Sequence, residues 1–256
     1  MIGFRLGKFS YSDRSNNLTG ISRGHVRSER GRFFYPLFIG CCNFAPVSHS
    51  HTDITAIILS GGKSSRMGHD KGLVKLNGKP LVEYAISTLE KITANIVISS
   101  NSDEYQDFGK PVVKDIHNGI GPMGGIHAGL HFSKSKSNLV ISCDMPFVTH
   151  HLYDLLLRKM ENSLVAVPWY RNDHFEPMAA IYHKDILPYL EEYIRKGNFK
   201  LPELFREIPV KRIRLPINDE FFHPNYFFNV NTESDLNAAG KLLNEFPGRG
   251  QYSKKQ

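Results

Sequence analysis

Residues 54–59 read "ITAIIL" and run without a spacer into "SGGKSSRMGHDK", residues 60–71. A short, continuous apolar run suits a central parallel strand buried on both faces. The turn after it has almost no bulk: glycines at 61, 62, 68 and 72 and the cations Lys63, Arg66 and Lys71. Glycines let the backbone approach an anion and turn its N–H groups inward, while the cations supply charge. A buried strand emptying into such a turn points to an α/β layered fold with its ligand beyond the carboxyl ends of the strands. The turn spells neither GxxxxGK[ST] nor GxGxxG, so it belongs to neither familiar class of phosphate loop.

From Ile54 onward, strand and helix signals alternate. Strand-like runs are "ITAIIL", "NIVISS", "KPVVKD", "NLVISCDMPF", "SLVAVPWY", "PMAAIYH" and the alternating edge run "VKRIRLP". Between them lie "PLVEYAISTLEKI" with Pro80 in its first turn, "GGIHAGLHFS", "THHLYDLLLRKM" capped by Thr149, "ILPYLEEYIRKG" closed by Gly197, and "NTESDLNAAGKLL" capped by Thr232. The pattern predicts a Rossmann-like, doubly wound α/β domain over residues 54–245, a mainly parallel sheet flanked by helices with right-handed crossovers. Residues 246–256 read as a flexible tail.

Residues 1–53 lack sustained periodicity and carry seven cations against three acids, so +4 of the chain's net charge of +7 sits there. They read as a disordered extension preceding the domain, or as an over-long start that is not part of the native fold, with an Arg-rich, acid-poor transit peptide the less favoured reading. Their apolar patch, "FFYPLFIGCCNF", comes too late for a secretory signal. The body is only mildly basic and has no dense cationic stripe, which argues against nucleic acid as a partner. No apolar run approaches the roughly 20 residues that span a bilayer, so no membrane partner is expected either. Cys41, Cys42 and Cys143 form neither a disulfide framework nor a metal spacing, which favours a reducing, cytoplasmic setting. With those cysteines a structural zinc site is not expected, and because the histidines are scattered no catalytic zinc is expected either.

The strand ends carry the candidate chemistry. After the second strand come Ser99, Ser100 and Asn101, able to touch a base or ribose. Asp115 precedes a glycine-rich helix start, "GPMGGI", another anion-friendly surface. Asp144 follows an apolar strand and precedes Met145-Pro146. A carboxylate there, facing a phosphate loop, suits a hard cation such as Mg²⁺, which takes one or two carboxylates and fills its shell with water and phosphate oxygens. Cys143 reads as a small buried residue rather than a nucleophile. Asn229 and Asn231 share a face if extended, and the polar loop from Asn172 to Pro177 could wall a substrate.

In this order, "LSGGKSSRMGHDK", "NGKPL", "GPMGGI", "CDMPF" and "FNVNT" resemble the molybdenum cofactor guanylyltransferases, from about Ile54 to Leu243. The first motif is shared with many nucleotidyltransferases; its combination with the last two is far more specific. The resemblance implies a nucleotide-diphospho-sugar transferase type of fold and transfer of GMP from GTP to molybdopterin, with Mg²⁺. It implies GTP contacts by Leu59, Ser60, Gly61, Lys71, Asp115 and Asp144, with Asp144 also on the metal. Ser99 stands where the family often has the asparagine that meets the base, and Asn101 lies two residues on. Asn229 and Asn231 match the family's terminal pair, and Lys200 is what survives of a basic pair directed at molybdopterin. Lys71, Asp144 and Arg66 would do the electrostatic work of the reaction. Molybdoenzymes or their chaperones would be downstream partners. Two rival readings stay open: a cytidylyl or sugar-phosphate nucleotidyltransferase, and a nucleotide-binding module without turnover. Paired glycines in "LSGG" favour the guanylyl branch, and Asp144 with Lys71 disfavours the pure binder.

Overall fold

The computed structural model describes residues 53–61, 70–170, 174–216, 222 and 225–245. Residues 1–52 of the extension, the tail, residues 62–69 with Lys63 and Arg66, and Asn172 lie outside the described residues. In chain order the elements begin with β1 (Ile54–Leu59), the two-residue strands β2 (Lys75–Leu76) and β3 (Lys79–Pro80), α1 (Leu81–Leu89) and β4 (Ile96–Ser99). Then come β5 (Val112–Val113), α2 (Pro122–Phe132), β6 (Ser137–Ser142), α3 (His150–Lys159), β7 (Val165–Tyr170), β8 (His174–Phe175) and β9 (Ala179–His183). Last are α4 (Leu187–Arg195), α5 (Leu201–Leu204), β10 (Val210–Arg214) and α6 (Glu233–Glu245).

The main sheet runs β10-β7-β9-β6-β1-β4-β5, with β8 paired to β7. Its pairs are parallel except that β9 opposes both neighbours and β8 opposes β7. β1 is central, as its unbroken apolar run demands, and β10 is an edge strand. The pleat divides β1 between two cores. Ala56 and Ile58 pack with Val82, Ala85 and Leu89 of α1 and Leu152 and Leu156 of α3. Ile57 and Leu59 pack with Met123, Ile126 and Leu130 of α2 and Leu190 of α4. Full burial of Ile57 and Ile58 contributes roughly 1.5–3 kcal/mol each. Helices thus cover both faces, as the doubly wound reading requires.

Helix α2 lies directly on the strands because two of its residues have no side chain. A Cβ on Gly129 would sit 2.5 Å from Ile57 Cγ2, and one on Gly125 would sit 3.0 Å from Ser99 Oγ. A larger residue at Gly129 would push the helix off β1.

Local chemistry departs from the sequence expectation at three points. Thr149 occupies the cap position of α3, but its hydroxyl bonds Tyr226 Oη at 2.8 Å instead of a helix N–H. Pro80 precedes the first turn of α1 rather than lying in it. Asn77 and Gly78, both with positive φ, close a β2–β3 hairpin that periodicity alone did not show. By contrast, Thr232 and Asp235 cap α6 reciprocally: Asp235 N–H donates to Thr232 Oγ1 at 3.1 Å, and Thr232 N–H to Asp235 Oδ2 at 2.9 Å.

Candidate active site

The register of β1 sets Leu59 opposite Ser99 on β4 and Ser142 on β6, so three strands end at one level. The chain continues in step: Ser60 N–H donates to Ser99 O at 2.9 Å, and Cys143 N–H to Leu59 O at 3.0 Å. Asp144 therefore emerges at the level where β1 ends.

Three predicted residues meet there. Lys71 Nζ donates to Asn231 Oδ1 at 2.6 Å and stands 3.8 Å from Asp144 Oδ2. Ser142 Oγ donates to Asp144 Oδ1 at 2.6 Å, fixing the carboxylate's orientation. Val230 N–H donates to Asp144 O at 2.9 Å, which sews the Asn229–Asn231 segment to the end of β6. Asn229 O receives Asn231 Nδ2 at 3.5 Å, while its own buried Oδ1 has no partner among the described residues. Lys71 is itself aimed by its predecessor. Asp70 caps a short 3-10 turn, accepting from Gly72 N–H at 3.2 Å and from the buried Tyr105 hydroxyl. Burial first, then neighbouring charge, pushes that phenol well above its ordinary pKa, so it stays a donor.

On the other side, Asn101 and Asp115 bind each other. Asn101 Nδ2 donates to Asp115 Oδ2 at 3.2 Å, and Asp115 N–H to Asn101 Oδ1 at 2.9 Å. Burial raises the Asp115 carboxyl above its ordinary value, partly offset by that amide. Ser99 is buried beneath Gly125 of α2, and its hydroxyl has no partner among the described residues. Ser60 is fully buried, Leu59 nearly so, and Gly61 is exposed.

Lys200 does not join the cluster: its ammonium pairs with Glu203 at 2.9 Å on α5 and is well exposed. Cys143 is a buried free thiol pushed up to about 12 by burial and then by Asp144, which suits packing, not nucleophilic attack.

Sequence reasoning passed over Glu176. It is 8% exposed, accepts Met178 N–H at 3.1 Å, and is pushed up to about 7 by burial, with Asp144's charge adding to the effect. Because β9 runs antiparallel to β6, its first residue, Ala179, pairs with Ile141 near the end of β6. Ser142 N–H donates to Met178 O at 2.8 Å. The end of the "NDHFEP" loop is thereby carried to Asp144's side of the sheet. The polar loop was the available signal, and the direction of β9 was the missing one.

Asp144 suits a magnesium ion: one oriented carboxylate at a strand tip leaves most of the shell to water and phosphate oxygens, as Mg²⁺ prefers.

Over residues 56–211 the sequence matches the family described as "MobA-like NTP transferase domain". A "Molybdenum cofactor guanylyltransferase" of Vibrio vulnificus is 36% identical over 189 residues, covering 73% of this chain and 94% of the relative. One of the same name from Photobacterium profundum is 33% identical over 190 residues, covering 73% and 95%. Among solved structures, "Molybdopterin-guanine dinucleotide biosynthesis protein A" from Archaeoglobus fulgidus matches with a TM-score of 0.64 and 27% identity, over 75% of this chain and 100% of that one. With Lys71 and Asp144 inside the matched region and both relatives covered almost throughout, the chain belongs to the MobA-like NTP transferase family.

Proposed function

We propose that this chain transfers GMP from GTP to molybdopterin, giving the guanine dinucleotide cofactor and pyrophosphate. The observation that carries the reading is the convergence of Lys71, Asp144 and Asn231 at the carboxyl edge of a central parallel sheet. Lys71 then contacts the triphosphate, exchanging part of its contact with Asn231 and Asp144 for phosphate oxygens. Arg66, outside the described residues, adds charge to the same group, and Leu59, Ser60 and Gly61 supply backbone contacts. Asp144 would hold Mg²⁺, which when bound neutralises phosphate charge. The acceptor phosphate is already ionised, so no side chain need act as its base. Alignment for in-line displacement at the α-phosphorus and offset of charge on pyrophosphate are what these residues provide. Asn229 and Asn231 border the acceptor, and Lys200 is assigned to molybdopterin at longer range.

Guanine presents adjacent N–H donors that a carboxylate accepts together, and the Asn101–Asp115 pair offers one at the β4 flank. Cytosine presents an acceptor beside its amino donor, which a carboxylate opposes. This favours GTP over CTP and moves base recognition from Ser99 to Asn101 and Asp115. No helix among the described residues is long and apolar enough to cross a membrane, and the reaction is assigned to the cytoplasm, upstream of molybdoenzymes or their chaperones. The test is to incubate the protein with GTP or CTP, Mg²⁺ and molybdopterin, and to measure dinucleotide and pyrophosphate. GTP-dependent product is expected. Product from CTP alone overturns the base assignment, and product from neither leaves a nucleotide-binding module.

A further inference from the structure

We propose that His127, His131 and Glu191 form a site for a divalent transition-metal ion of the zinc class, clamped between α2 and α4 apart from the strand-end site. His127 and His131 lie one turn apart on α2, so their rings project from one face. Glu191 faces them from α4. Its Oε1 is 3.1 Å from His131 Nε2 and 3.9 Å from His127 Nε2. One donor atom from each of the three residues falls within 4.8 Å of the others. Tetrahedral zinc with bonds near 2.0–2.1 Å separates its ligands by about 3.3 Å, and the two measured spacings bracket that value.

An ordinary hydrogen-bonded cluster explains His131 and Glu191 but not His127. That imidazole is 2% exposed, and neither ring nitrogen has a hydrogen-bond partner among the described residues. Its 3.9 Å approach to Glu191 is too long for one. Two imidazoles and a carboxylate select a borderline ion such as zinc over magnesium or calcium, which prefer oxygen donors. His131 and Glu191 are partly exposed, so ions can enter and a fourth position stays open to water. A bound ion would join α2, whose glycine-rich N-terminal end borders the proposed nucleotide site, to α4.

The test uses the full chain without a polyhistidine tag, stripped with EDTA and titrated with Zn²⁺ alone by calorimetry, elemental analysis and thermal melting. The control is the double variant His131→Ala/Glu191→Gln, which changes only partly exposed side chains. The intact chain should bind one equivalent more than the variant and gain melting temperature that the variant does not. Co²⁺ should give tetrahedral visible bands only in the intact chain. Should the double variant fold poorly, His131→Gln alone should weaken zinc binding about tenfold or more by removing a ligand. Equal stoichiometry and equal melting shifts in intact and variant chains overturn the site.

Discussion

On the β6 flank of the sheet edge, Lys71 reaches across 160 residues to Asn231 and stands 3.8 Å from Asp144. On the β4 flank, Asn101 and Asp115 are 14 residues apart and bond each other twice. The first flank is assembled by the fold from distant charged segments, with an ion pair too long for a hydrogen bond. Such a group can trade its internal contacts for phosphates. The second is a short-range polar pair whose hydrogen bonds orient one carboxylate. In the proposed division of labour, the long-range flank handles charge and the local flank reads the base.

That division can be broken in order of expected effect. Asp144→Ala should lower guanylyl transfer on the order of 10³-fold while leaving the melting temperature within a few degrees. Transfer retained by this variant would take Asp144 out of the metal role. Lys71→Met keeps the aliphatic stem and removes the charge, so the rate should fall about 10²-fold, mostly in kcat. Steady-state kinetics showing only a KM change would recast Lys71 as a ground-state anchor. Asp115→Asn should cost about 1–3 kcal/mol in kcat/KM for GTP, roughly 5- to 150-fold, with little change for CTP. A GTP-to-CTP ratio that stays constant would separate Asp115 from base recognition.

Glu176 bears on stability, not on turnover, and its effect appears as a pH slope. Its folded pKa is raised to about 7 from 4.5, so the folded state holds a proton that the unfolded state releases. Stability should be greatest below about pH 4.5, fall by about 1 kcal/mol per pH unit as pH rises towards 7, and level off above. Glu176→Gln should remove this contribution. Urea unfolding in EDTA at pH 5 and pH 8 measures it, and parallel behaviour of the two chains would mean Glu176 is solvated.

Ser99 shows how pleat geometry decides a site. Val97 belongs to the core that α2 covers, and Ser99, two residues on, points to the same side, beneath Gly125. Period-2 counting from Val97 would have assigned it there, whereas Asn101 lies past the strand, where the chain has turned towards Asp115. Lys200 is the opposite case: Glu203, three residues on, is a local partner at i,i+3 spacing, and it holds the ammonium away from the cluster.

By itself the sequence determined what short-range physics controls: the buried central strand, the cap at Thr232, and a carboxylate at the tip of β6. Apolar periodicity, backbone freedom and capping groups act over a few residues and leave their mark in consecutive letters. Tertiary structure alone decided that β9 runs against its neighbours, that Glu176 consequently lies on Asp144's side of the sheet, and that Lys71 meets Asn231. A buried strand reads the same in either direction, and a contact across 160 residues depends on the packing of every element between its ends.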